Sequence, residues 1–202
     1  MRAVVFDVGN VLYRWQPERL YEAAIPDPVD RARLLREVVT LDWHFQHDLG
    51  RDFAETSAER IALFPDDRDH ILAWGERFME TIPGPVPGML ELVRDLDTAG
   101  VPLFAITNFS HEFFPPFRRE NAEVFDRFRD ILVSGEVELA KPDPAIYALA
   151  LKRFGLGAGE AIFIDDSLAN IQAAEDSGFA GYHFEGDTPA LRAVLTGGGL
   201  LP

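Results

Sequence analysis

The chain contains no cysteine. That excludes disulfides, thiolate metal sites and a cysteine nucleophile together, and it fits a reducing cytosol. Long hydrophobic runs are also missing. Nothing approaches the roughly 18 apolar residues of a membrane helix, and the first residues lack the basic-then-apolar pattern of a secretory leader. Positive charge is scarce: 19 Lys and Arg stand against 34 Asp and Glu, a formal net charge of -15. Such a surface repels nucleic acid and anionic membranes, and no basic tract relieves it. Internal repeats and low-complexity segments are absent too. The expectation is a cytoplasmic protein, monomer or homodimer, whose partner is a small molecule. A phosphorylated metabolite would be repelled as well, so any phosphate site must neutralise charge locally.

What is present is a globular composition. The 202 residues are 47% hydrophobic, enough for one good core or one core with a small insertion. Short apolar runs recur at Ala3–Phe6, Leu103–Ile106, Ile131–Val133, Ala161–Ile164 and Gly181–Phe184. Helical spacing appears over Met89–Ala99, Pro144–Phe154 and Leu168–Ser177, each stopped by the glycine that follows. Strand, helix, glycine stop and strand is the pattern of βαβ units around a parallel sheet. The fold class expected is therefore α/β, a Rossmann-like parallel sheet flanked by helices.

One stretch breaks the alternation. Helical patterns cover Pro17–Ala24, Pro28–Thr40, Phe53–Leu63 and Arg68–Glu80 with no strand among them. Residues 14–82 are read as an inserted all-helical cap, and residues 1–13 with 83–202 as the core. Ile82-Pro83-Gly84-Pro85-Val86-Pro87-Gly88 would be the return linker, stiffened by proline. The glycine run 197–199 reads as a frayed end.

Chemistry gathers where strands end. Asp7 closes the first run, and a strand tip holds a carboxylate rigidly for nucleophilic attack. Thr107-Asn108 follows the second run and offers a hydroxyl and a backbone N–H to a phosphoryl oxygen. Lys141 stands before Pro142-Asp143-Pro144, where Asp143 can cap the next helix and the lysine can point at an anion. Asp165-Asp166 ends a strand buried on both faces. Two adjacent carboxylates there are costly unless a cation neutralises them, and Mg²⁺ suits such oxygen ligands. In open α/β sheets, ligands sit at these strand ends.

These four signals, in this order and each after its own strand, resemble the haloacid dehalogenase superfamily over nearly the whole chain. The helical insertion falls where that family places its type 1 cap. The runs Asp7-Val8-Gly9-Asn10-Val11 and Asp165-Asp166-Ser167-Leu168-Ala169-Asn170-Ile171 look most like a bacterial branch that includes α-D-glucose-1-phosphate phosphatase. The resemblance implies a Mg²⁺-dependent phosphatase for a small phosphate monoester, possibly a sugar phosphate, working through an aspartyl phosphate on Asp7. It implies Mg²⁺ held by Asp7, the Gly9 carbonyl and Asp166, with Asp165 behind, and phosphate oxygens held by Thr107, Asn108 and Lys141.

One departure stands out. Most phosphatases of the family carry a second aspartate two residues after the nucleophile as general acid, and here that position is Gly9. Losing such an acid costs roughly 10²–10⁴-fold. A cap residue can replace it, or the leaving group can need little help, or the protein can bind a phospho-ligand without turnover. In the cap, His44 or His47 is the candidate acid, and Trp43 a stacking surface beside Gly50-Arg51. His111 is a further candidate near the site. His70 and His183 read as structural, and Phe113, Phe114 and Phe117 as packing or a dimer surface. A 2-haloacid dehalogenase is the alternative activity, and the Asp165-Asp166 pair counts against it because that chemistry uses no metal. A phosphotransferase such as a mutase is a lesser option.

Overall fold

The computed structural model describes residues 1–202. Five parallel strands form its centre: β1 (Ala3–Phe6), β4 (Leu103–Thr107), β5 (Asp130–Val133), β6 (Ala161–Asp165) and β7 (Ala180–His183). Their order is β5-β4-β1-β6-β7, so β1 sits in the middle with its neighbours in register, Val5 opposite both Phe104 and Phe163. The chain builds outward to β5 on one side and then crosses to β6 on the other. That reversal beside β1 is the switch point at which an open sheet forms its crevice. Asp7, Thr107 and Asp165 all lie at the same carboxyl edge.

Alternation of side chains assigns each face its helices. Ala3 and Val5 point to a cluster with Ile146, Tyr147, Ala150 and Phe154 of the helix Pro144–Phe154, and with Ile171 and Ala174 of the helix Leu168–Asp176. Val4 and Phe6 point the other way, onto Met89, Leu92, Val93 and Leu96 of the helix Met89–Thr98 and onto Leu191 and Leu195 of the helix Thr188–Gly197. Each aliphatic side chain buried this completely is worth about 1.5–3 kcal/mol. The helices start where their sequences say. The Asp143 side chain accepts from Ala145 N at 2.8 Å with Pro144 at the first helical position, and Gly155 closes that helix at φ 66°. Thr188–Gly197 is a full helix and Leu200 and Leu201 are buried behind it, so the C-terminal glycines do not fray.

Between Trp15 and Pro83 there are only helical segments. The chain leaves through β2 (Tyr13–Arg14) and returns through β3 (Gly84–Pro85), which pair antiparallel. The helical pattern expected over 28–40 divides into an α-helix, Pro28–Arg33, and a wider π turn, Leu34–Val38. An α-helix over Leu41–Asp48 was not expected from the pattern. It is capped by the Thr40 hydroxyl, which accepts from Trp43 N at 3.1 Å. Leu34, Val38, Trp43, Ile71, Trp74 and Phe78 of this region join the same apolar cluster as Val4 and Phe6. Phe113, Phe114 and Phe117 are buried in that cluster too, with the Phe113 ring stacked 4.5 Å from Phe78. They are internal packing, which rules out the dimer-surface reading of these three rings.

Candidate active site

The Asp7 carboxylate is held asymmetrically. Its Oδ1 accepts from Val8 N at 2.6 Å and pairs with Lys141 Nζ at 2.9 Å. Its Oδ2 makes no hydrogen bond within the protein. One oxygen is thereby fixed and the other left with its lone pairs free, at the end of a strand that cannot shift. Lys141 is almost fully buried and also reaches Asp165 Oδ2 at 2.6 Å. Burial pulls its ammonium down, yet Asp7 and Asp165 outweigh this and hold it above the ordinary lysine value.

Asp165 is saturated. It accepts from Lys141, from Ser167 N at 2.8 Å and from Asn170 Nδ2 at 3.0 and 3.1 Å. Asp166 is half-buried and lines the cavity. Asn10 sits at φ 55°, lines the same cavity and accepts from Trp15 N at 3.0 Å.

Carboxylate oxygens of Asp7, Asp165 and Asp166 all lie within 4.8 Å of one another. Three carboxylates and one ammonium leave two uncompensated negative charges when all are ionised. Burial pushes Asp7 up to about 7, and Asp165 and Asp166 add to the push while Lys141 opposes it. Burial, then Asp165, raises Asp166 as well. The residues fit a hard divalent cation, whose charge would match the deficit and whose oxygen preference matches the donors. Asp7 and Asp166 face the cavity and are free to bind it, whereas Asp165 is engaged in orienting Lys141.

Thr107 ends β4 and Asn108 follows it. The Thr107 hydroxyl is buried with no partner, an orphan acceptor and donor of the kind a ligand oxygen satisfies. Asn108 exchanges two hydrogen bonds with the Lys141 backbone, 3.0 Å to its carbonyl and 2.9 Å from its N–H, and so fixes the lysine loop against β4.

These groups open onto a cavity of about 260 Å³. Asp7, Gly9, Asn108 and Asp166 form its floor, and Trp15, His44, Asp48 and Phe78 line the side contributed by the helical region. Of the three cap residues expected to face substrate, only His44 does. Trp43 and His47 are corrections to that expectation. The Trp43 indole is buried and donates to Thr56 O at 3.2 Å, and His47 is fully buried against Thr56 Oγ1 at 2.6 Å. Burial lowers His44 to about 3 and His47 to about 4, so both imidazoles are neutral and neither is an acid at neutral pH. Arg51 is engaged with Glu55 and Glu59, and His111 faces Asp52, both away from the cavity.

Asp48 was not anticipated. Helical periodicity could have found it, because His44 and Asp48 are one turn apart and must share a face. Arg14 and Trp15 also reach the cavity, from the short strand β2 and its end.

A family model described as haloacid dehalogenase-like hydrolase matches residues 1–178. A sesquiterpene phosphatase, astK, of Aspergillus oryzae is 30% identical over 193 residues, covering 90% of this chain and 89% of its own length. A phosphoglycolate phosphatase of Pseudomonas savastanoi is 34% identical over 94 residues, covering 46% of this chain and 34% of its own length. Among solved structures, a haloacid dehalogenase family enzyme of Bacteroides thetaiotaomicron, in complex with magnesium and inorganic phosphate, superposes with a TM-score of 0.73. It is 22% identical and the match covers 95% of this chain and 98% of that one, which speaks for the fold alone. L-2-haloacid dehalogenase of Xanthobacter autotrophicus superposes at 0.63 with 18% identity, over 100% of this chain and 85% of its own.

Proposed function

We propose, on the premise that this chain belongs to the haloacid dehalogenase-like hydrolase family, that it is a Mg²⁺-dependent phosphatase acting on a small phosphate monoester. The observation that carries this reading is the asymmetric Asp7 carboxylate, with Oδ1 anchored by Val8 N and Lys141 and Oδ2 free. Oδ2 attacks phosphorus, forming an aspartyl phosphate as the ester oxygen departs, and water then releases phosphate and restores Asp7. Mg²⁺, held by Asp7, Asp166 and the Gly9 carbonyl, would neutralise charge that otherwise costs roughly 4 kcal/mol per pair at ~4 Å and an effective dielectric near 20. Lys141 favours the ionised form of Asp7 and aims it. The orphan Thr107 hydroxyl and the loop at Asn108 receive phosphoryl oxygens and the charge that develops on them.

Residues 14–82 serve in this reading as the cap that selects the organic group. The cavity lining supports an apolar one. Val8, Tyr13, Trp15, Phe78, Ile82 and Phe109 line the space beside Asp7, and residues 14–82 add Arg14, His44 and Asp48 as polar side chains. A short alkyl or prenyl monophosphate suits the lining, in keeping with a 30% identical relative that is a sesquiterpene phosphatase. The fold likeness to a dehalogenase does not favour that chemistry, since three clustered carboxylates call for a cation that halide displacement does not use.

The test is phosphate release from p-nitrophenyl phosphate, a prenyl monophosphate and glucose 1-phosphate, with Mg²⁺ and with excess chelator. Release that needs Mg²⁺, with kcat/KM at least about tenfold higher for the prenyl ester than for the sugar, is expected. Full activity in chelator would overturn the metal assignment. Chloride release from 2-chloropropionate with no phosphate release would overturn the reaction.

A further inference from the structure

We propose that Asp48 is the general acid that protonates the leaving group, taking the role left open at Gly9. The inference rests on the phosphatase reading and assigns its unassigned proton.

Asp48 ends the helix Leu41–Asp48 and lines the same cavity as Asp7, on the wall opposite the sheet edge. It is only 6% exposed, and its Oδ1 is buried without a hydrogen-bond partner. Ionised, the group would be an unpaired buried charge, so burial favours the neutral acid, which has a proton to give. Its other oxygen, Oδ2, lies 3.6 Å from His44 Nε2. His44 Nδ1 accepts from Trp74 Nε1 at 3.2 Å, so the neutral imidazole carries its proton on Nε2, turned toward Asp48. His44 is a positioning residue in this arrangement. It stacks between Trp15 and Phe78, at 5.2 and 5.6 Å, which fixes its ring and hence Asp48.

The charged and titratable groups facing Asp48 are few. Asp7 comes from the sheet edge and Lys141 from the loop beyond β5, while His44 is on its own helix. Burial, with the Asp7 charge added and Lys141 opposing, pushes Asp48 up to about 8. No guanidinium or ammonium pairs with it. At Gly9, meanwhile, a Cβ would meet nothing within 4 Å. The glycine is therefore not required by packing, and the space above it is open for a donor arriving from the other wall.

The step balances. As Asp7 Oδ2 bonds to phosphorus, the bond from phosphorus to the ester oxygen breaks and that oxygen takes the Asp48 proton, leaving an alcohol and an Asp48 carboxylate. Water then attacks phosphorus, its proton passes to Asp48, and the bond from Asp7 to phosphorus breaks. Inorganic phosphate leaves and both aspartates return to their starting states.

The experiment compares two esters of similar size on wild type and Asp48→Asn with Mg²⁺ present. Benzyl phosphate leaves as an alkoxide unless protonated, and p-nitrophenyl phosphate leaves as a stabilised phenolate. Asp48→Asn is expected to cut kcat on benzyl phosphate by about 10²–10³-fold and on p-nitrophenyl phosphate by less than about tenfold. Gly9→Asp added to Asp48→Asn is expected to recover benzyl phosphate turnover, because the new carboxyl fits the open space. Equal losses on the two esters, or none, would overturn the role of Asp48 and leave the phosphatase reading standing. Asp48→Ser, read in the same comparison, serves if the Asn variant fails to fold. A wild type silent on both esters would overturn the phosphatase reading and this inference with it.

Discussion

Lys141 is one buried cation between two buried carboxylates, and that arithmetic governs what its loss does. Breaking a buried ion pair from one side leaves uncompensated charge and costs about 3–5 kcal/mol. Lys141→Met should lower the urea unfolding free energy by that amount, with Mg²⁺ recovering part of it. An unchanged midpoint would mean Asp7 and Asp165 are not both ionised in the native state. Asp7→Asn acts differently. It removes a carboxylate that burial already disfavours, so the thermal midpoint should hold or rise while phosphatase turnover falls below about 10⁻³ of wild type. Near wild-type turnover would remove Asp7 as nucleophile. Asp7, Thr107, Asp165 and Asp166 could be placed at the sheet edge from the sequence because each ends or follows an apolar run that reads as a buried strand, whereas Lys141 was marked by the Pro142-Asp143-Pro144 segment after it. Asp48 was missed, because the helix that carries it was not expected from the pattern, so its place one turn from His44 went unread.

The helix Leu41–Asp48 shows why one element was illegible. Leu41 and Phe45 are exposed while His44, His47 and Asp48 are buried, so its polarity runs opposite to the usual amphipathic pattern. Strands β2 and β3 escaped notice for another reason: two residues each, they exist only through mutual pairing across the helical region between them. Strands such as Ala3–Phe6 and helices such as Pro144–Phe154, by contrast, carry their burial pattern and caps in the local sequence. Burying imidazoles in this helix has a measurable consequence. His47 is lowered to about 4, so between about pH 4 and 6.5 the unfolded chain binds a proton that the native chain does not. Its contribution to stability is complete above pH 6.5 and is lost as pH falls through that window. His47→Gln should flatten the slope of unfolding free energy against pH there by about 1.4 kcal/mol per unit. An unaltered slope would show that His47 is protonated in the fold. The same helix is pressed close to the sheet edge. A Cβ on Gly135 would lie 2.6 Å from His111 N, 2.9 Å from Phe109 O and 3.1 Å from His47 O, all backbone atoms that cannot swing away. Gly135→Ala is therefore expected to cost more than about 2 kcal/mol, read by denaturant unfolding.

Across the whole molecule the net charge of -15 opposes the task assigned to one small cavity. In the proposed reading, a phosphate dianion would cross a negative surface before it reaches the cavity and a cation held at Asp7 and Asp166. Arg14 is the only cationic side chain lining the cavity. Far-field repulsion is screened by salt, with a Debye length of about 30 Å at 0.01 M and about 8 Å at 0.15 M. The buried contacts that hold the nucleophile are screened far less. Raising KCl from about 10 to about 150 mM at saturating Mg²⁺ should therefore raise kcat/KM several-fold for a dianionic ester, through association, while kcat stays level. Free Mg²⁺ should show the opposite trend, binding more weakly as the attractive field is screened. A kcat/KM that falls with salt would place control in the local field of Arg14 and the bound cation, and would show that the acidic surface lies too far from the approach path to be felt.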